Sequence, residues 1–224
     1  QNVTCDVMQD TPANLLDKVR NTVEGWFGVG QQFKVKALWV SPDCRTFSKT
    51  DSSNRTKGCG YRDHRVESRP PLQPASTKYG KMARDADILV QRVQQVIKAW
   101  CNRFEGMKWA MENPVGSLAR REYMGEGWSQ NRQMREIHYC AYEHVYHKPT
   151  HIWTNIIHWT PKGTTGTGRC EQRCKAGHWS AEGRWKHKCG IARESSREVQ
   201  GRGRKAWKNM VPQLLHAELW SLMN

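Results

Sequence analysis

Val35-Lys36-Ala37-Leu38-Trp39-Val40-Ser41-Pro42-Asp43-Cys44-Arg45-Thr46-Phe47-Ser48 is the stretch whose reading decides the fold. Val35 to Val40 is apolar enough to predict a strand, and Ser41-Pro42-Asp43 turns the chain directly after it. Working outward, Val3 to Val7 predicts an earlier strand. A helix is expected from about Pro12 to Trp26, with Leu15, Leu16, Val19 and Val23 on its apolar face. Phe27-Gly28-Val29-Gly30 reads as a helix stop and turn, and the polar run from Ser48 to Ser76 as a long loop. Leu89, Val93, Val96, Ile97 and Trp100 fall at helical spacing and predict a helix over Lys78 to Asn102. Met107 to Met111 predicts a strand stopped by Asn113-Pro114, and Ile137 to Tyr142 and His151 to Ile157 predict two more. Val211 to Met223 closes the chain as an apolar helix with Pro212 at its start. Strands alternating with helices predict an α/β fold with a parallel sheet covered by helices.

In parallel sheets of this kind, ligands bind beyond the carboxyl ends of the strands. Cys44 follows one strand, and Arg45 together with a nearby helix start is expected to lower its pKa, whereas the acid Asp43 is expected to raise it. Glu112 is expected at the end of another strand, where partial desolvation raises a carboxyl pKa and suits it to protonating a ring nitrogen. Each residue also has a plain reading: Cys44 as an inert thiol, Glu112 as a helix cap or surface acid. Their pairing at two strand ends of one sheet is what points to chemistry.

The 224 residues carry 36 Lys plus Arg against 21 Asp plus Glu, a formal charge of +15, which favours a polyanionic partner such as nucleic acid. From Pro161 to Lys208 there are 13 basic and 4 acidic residues, a net of +9. No apolar run is long enough for a membrane span, and no signal-peptide pattern opens the chain. The eight cysteines do not form a dense secreted framework, so an intracellular, reducing setting is expected. Cys170, Cys174, His178 and Cys189, with His187 close by, have spacings that can make a tetrahedral zinc site; the alternative is reduced thiols and exposed histidines in a basic loop. Arg169, Arg173, Arg184, Lys186 and Lys188 alternate there with Trp179 and Trp185, a mixture suited to phosphate and base contact. The expected organisation is therefore a catalytic domain over 1–160, a small basic module over 161–204 that recognises the target, and a helix over 205–224 returning to the catalytic domain.

Pro42-Asp43-Cys44-Arg45-Thr46-Phe47-Ser48 resembles the Pro-Cys-x-x-Phe-Ser nucleophile loop of the cytosine-5 DNA methyltransferases. Glu112-Asn113-Pro114 resembles their Glu-Asn-Val motif in the Glu-Asn-Pro form of phage-like members. Thr4-Cys5-Asp6-Val7 is similar to their cofactor-contacting strand end. Tyr139-Cys140-Ala141-Tyr142 through Tyr146-His147-Lys148-Pro149-Thr150 resembles the segment that shapes their cytosine pocket, and Lys205 to Leu219, with Asn209, their closing motif. The resemblance implies a Rossmann-like methyltransferase sheet, S-adenosylmethionine as cofactor and DNA as partner. It also implies Cys44 as nucleophile, Glu112 as its acid partner, and Asn113, Lys148 and Ser48 lining the base pocket. Asp6, Pro42 and Asn209 would lie at the cofactor, and Arg184, Lys186 and Lys188 on the DNA.

The sequence departs from the family in three places. Asp43 stands where the family has proline, Lys148 and Thr150 stand where it has two arginines, and no glycine-rich motif precedes Asp6. The chain opens at Gln1 inside a strand-like stretch, so an upstream segment or partner chain is expected to complete the cofactor site. Two other readings remain open: an amino-methyltransferase acting on adenine N6 or cytosine N4, whose loop ends in an aromatic residue, and a degenerate methyltransferase that still binds nucleic acid.

Overall fold

The structure, a computed structural model, describes residues 9–28, 33–48, 78–125, 132–144, 146–187 and 211–223. The expected strand Val3–Val7, most of the loop 48–76 and the segment 188–210 lie outside the described residues, and with them Asp6, Lys188, Cys189 and Asn209.

Helix α1, Pro12–Phe27, starts where the Thr11 side chain accepts the Asn14 N–H at 3.2 Å and Pro12 occupies the first turn. Gly28 ends it at φ 97°, a left-handed conformation that suits glycine. Strand β1 is Ala37–Val40, helix α2 is Lys78–Arg103 and strand β2 is Lys108–Pro114. Strands β3, Gln133–His138, and β4, Pro149–Thr154, flank a 3-10 turn over Tyr139–Tyr142. A hairpin of β5, Gly177–Trp179, and β6, Trp185–His187, precedes the closing helix α3, Gln213–Met223.

The main sheet has the order β1-β2-β4-β3. Only β1 and β2 run parallel; β4 is antiparallel to both β2 and β3. The fold is thus mixed α/β, and the all-parallel expectation fails for β3 and β4. Ten residues, 139–148, join those two strands, and so short a connection returns an antiparallel neighbour, because a parallel crossover needs a dozen or more. Two further expectations change. Residues 139–142 form the 3-10 turn rather than the end of a strand, and β2 runs through Asn113 and Pro114, with Pro114 opposite Thr150.

Alternation along the strands sorts the core into two faces. Trp109, Met111 and Trp153 meet Val90, Val93 and Ile97 of α2 on one face. Ala110, Ile152 and Ile137 meet Leu215 and Leu219 of α3 on the other. Leu15 of α1 packs beside Val96, Trp100 and Phe104, and the Trp100 indole donates to the Pro12 carbonyl at 3.1 Å. No helix among the described residues is long and apolar enough to cross a membrane.

Backbone contacts cross the expected boundary at 160/161. His138 N–H donates to the Gly168 carbonyl at 2.8 Å, and the Glu218 carboxylate of α3 accepts from the N–H groups of Lys162 and Gly163, each at 3.1 Å.

Candidate active site

The parallel register of β1 and β2 builds the site. Val40 lies beside Met111, so the next residues, Ser41 and Pro42, arrive beside Glu112 and Asn113. The Ser41 hydroxyl donates to Glu112 Oε2, and Asn113 Nδ2 donates to the Pro42 carbonyl at 3.1 Å. Asn113 Oδ1 is buried and accepts no hydrogen bond among the described residues. Pro42 and Asn113 are both buried, whereas Ser41 beside them is exposed.

Beyond Pro42 the chain makes one tight turn, in which Phe47 and Ser48 N–H both donate to the Cys44 carbonyl at 3.0 Å. Phe47 is fully buried against Val90 and Met111 of the α2 face and anchors the loop. Gly116 lets the loop come close: a Cβ there would sit 1.9 Å from the Phe47 carbonyl oxygen. Ser117 N–H donates to that same oxygen at 2.8 Å, and Ser48 bridges Gly116.

Glu112 points to the α3 face of the sheet and is 3% exposed. Tyr139 donates its hydroxyl to Oε1 at 2.9 Å, and Lys148 Nζ lies 3.1 Å from the same oxygen. The ammonium also sits 4.6 Å from the Tyr139 ring centroid, in cation–π range. A carboxylate this deep is tolerated because hydroxyl donors and a cation satisfy it. Ser41 was read only as part of a turn, and Tyr139 only as part of the segment resembling the family's pocket motif; neither was assigned to Glu112. The signal for Ser41 is the parallel register, which places the residue after Val40 beside the one after Met111.

Cys44 is part-buried and its thiol pKa is raised, in the direction expected from Asp43 and against the lowering expected from Arg45 and a helix start. Burial pushes it up, the Lys148 ammonium pulls it down, and the Glu112 and Asp43 carboxylates push it up again. Arg45 does not act on it as expected, because its guanidinium is turned onto Asp43, with Nε 2.7 Å from Oδ2. Asp43, although burial raises it, ends below its ordinary value through the hydrogen bonds and charge of Arg45. The thiol, Glu112 and Lys148 thus share one electrostatic neighbourhood.

A second cluster lies one residue from Tyr139. The sulfurs of Cys140, Cys170 and Cys174 and a ring nitrogen of His187 all lie within 4.8 Å of one another. Of the residues expected to gather here, Cys170 and Cys174 do. His178 does not: in the hairpin it pairs with Lys186, while His187 pairs with Gly177. Alternation therefore sends His178 to the opposite, exposed face. Arg184, Lys186 and Trp179 are exposed on the same hairpin, with Lys186 3.0 Å from Glu182.

S-adenosylmethionine would need an aromatic or apolar wall and polar groups for its ribose and amino acid portions. Trp39 of β1 and His216 and Trp220 of α3 form such a wall, with His216 and Trp220 stacked at 5.8 Å and Leu219 and Met223 lining the same recess. That wall offers ring faces on which a purine can stack and π-electrons toward which a sulfonium cation is attracted. Of the expected polar partners, Asp6 and Asn209 lie outside the described residues.

No family profile matches the chain, and no solved structure matches it. Among curated proteins it is similar to one from Frog virus 3 (isolate Goorha) named probable DNA (cytosine-5)-methyltransferase. The two are 29% identical over 191 residues, covering 83% of this chain and 74% of that protein.

Proposed function

We propose that the chain is the catalytic part of a DNA (cytosine-5)-methyltransferase, with Cys44 as nucleophile and Glu112 as its acid partner. The observation that carries this reading is the convergence at one strand register of a cysteine loop and a buried glutamate paired with Lys148. The similarity to the viral protein supports the same family.

The target carbon C5 is a weak nucleophile until C6 is attacked. Cys44 thiolate would add to C6, forming a C–S bond and moving the ring electron pair toward C5. Glu112 would hold the proton at N3 and so take up the charge developing on the ring. Pro42 and the Trp39–His216–Trp220 wall, together with Asp6 and Asn209, would hold S-adenosylmethionine, which when bound would supply the methyl group that the C5 electron pair takes up, with S-adenosylhomocysteine as the leaving group. Loss of the C5 proton to a base then returns the electron pair, breaks the C–S bond and frees Cys44. A base stacked in duplex DNA cannot reach Cys44, so it would be flipped into a pocket lined by Ser48, Asn113 and Lys148. Exposed Arg184 and Lys186 would meet phosphate, and Trp179 the bases.

A second reading, a nucleic-acid-binding protein without turnover, is favoured by the raised Cys44 thiol and the acid beside it. DNA carrying 5-fluorocytosine separates the two, because fluorine cannot leave C5 as a cation and the adduct persists. With S-adenosylmethionine present, a denaturation-stable complex that Cys44→Ser abolishes is expected. DNA binding with no covalent complex would leave the non-enzymatic reading.

A further inference from the structure

The sulfur cluster beside the active site is built like a metal centre. We propose that Cys140, Cys170, Cys174 and His187 bind one structural zinc ion, which fastens the basic hairpin β5–β6 to the turn carrying Tyr139. Zinc held at about 2.3 Å from sulfur and about 2.0–2.1 Å from nitrogen sets donor–donor edges of about 3.5–3.8 Å. The structure has Cys170 Sγ 3.4 Å from Cys174 Sγ and 3.1 Å from His187 Nε2. Those two pairs therefore need to part by only about a few tenths of an ångström to take the ion, and every other donor pair lies within 4.8 Å. Three thiols and an imidazole complete the tetrahedron without His178, and the three cysteines are at most 5% exposed.

The surroundings are those of a ligand set. Glu171 and Gln172, between Cys170 and Cys174, stand at φ 43° and 59°, left-handed conformations that non-glycine residues adopt at a cost. That turn aims the N–H groups of Gln172 and Cys174 at the Cys170 sulfur and that of Ala176 at the Cys174 sulfur. Hydrogen bonds of this kind stabilise metal-bound thiolates. The His187 ring is held by His147, stacked on it at 4.4 Å and 5°. Gly177 opposite leaves room for the Trp185 ring, whose Cζ2 would lie 2.2 Å from a Cβ there, and Trp185 packs against the cluster. The hairpin has almost no apolar core besides this cluster, the circumstance in which a metal supplies folding energy.

Metal content is read without turnover, so this proposal and the methyl-transfer reading can fail separately. The full chain, purified after expression with zinc in the medium, should carry about one zinc by elemental analysis. Replacing zinc with cobalt should give thiolate-to-cobalt charge transfer and the intense visible bands of a tetrahedral site. Cys140→Ser and His187→Ala should lose the metal, while His178→Ala and Cys189→Ser should keep it. A folded, metal-free wild-type protein that also gives no cobalt bands would overturn the proposal, as would metal loss in His178→Ala or Cys189→Ser. The wild-type cobalt spectrum decides the matter even if Cys140→Ser does not fold.

Discussion

Removing the Lys148 ammonium tests whether the Glu112–Lys148 pair is as enclosed as its geometry says. At 3.1 Å, with an effective dielectric of about 20, the attraction is about 5 kcal/mol, much of it offset by the cost of taking both charges out of water. The intact pair therefore adds little net stability, yet losing one partner strands a charge that is 3% exposed on the carboxylate side. Lys148→Met keeps the aliphatic stem and should lower unfolding stability by about 3–5 kcal/mol in urea titrations. Adding Glu112→Gln removes the stranded charge, while the oxygen of the new amide can still accept from Tyr139 and its NH2 group can donate to the Ser41 hydroxyl oxygen. The double variant should therefore be more stable than Lys148→Met alone, by about 1.5–3 kcal/mol, the scale of coupling seen for contacting charges. Additivity of the two single losses within about 0.5 kcal/mol would refute the reasoning, because it would mean that water already screens the pair.

Two further outcomes are expected. The neutral Cys44 thiol is favoured in the folded protein, so stability from keeping it neutral is full below the ordinary value of 9.0 and falls as pH rises through the raised one. Alkylation of Cys44 followed by peptide mass spectrometry should therefore show a midpoint above 9.0, moved higher again by Lys148→Met; a midpoint below 9.0 would contradict the burial argument. Neutralising Arg184 and Lys186 together should weaken binding to every duplex sequence and flatten the log–log salt dependence by about 1.8, two phosphate contacts at about 0.9 each. An unchanged slope would remove the hairpin from the DNA interface.

The helices were legible because burial writes a period into them. Val93, Val96, Ile97 and Trp100 are buried at the spacing that predicted α2, and Leu215, Leu219 and Met223 recur every fourth residue in α3. Strand direction was not legible, since alternation is the same in parallel and antiparallel sheets; only the shortness of the 139–148 connection holds the information. Cys44 and Glu112 could be paired from their positions after apolar runs. Their fine electrostatics could not, because Arg45 turns to Asp43 and Lys148 arrives from the connection just before β4, 36 residues beyond Glu112. The thiol cluster misled for a related reason: local spacing nominated His178, whereas pleating selected His187, and Cys140 comes from 30 residues before Cys170.

Tyr139 and Cys140 are bonded neighbours, both fully buried, yet they serve different clusters. In a 3-10 turn successive side chains diverge by about 120°, so one peptide sends a phenol to Glu112 and a thiol to Cys170 and Cys174. Tyr139 is clamped further by Lys148, whose carbonyl accepts its N–H at 3.1 Å and whose ammonium lies over its ring. Loosening Cys140 therefore acts first on the group that donates to Glu112, and a hydrogen bond to a charged acceptor is worth about 1.5–3 kcal/mol. In the free protein that loss falls on stability. In a complex where Glu112 holds a ring proton, the same loss falls on the orientation of the carboxylate. The basic hairpin and the Glu112 carboxylate are in this way joined by a single turn of backbone.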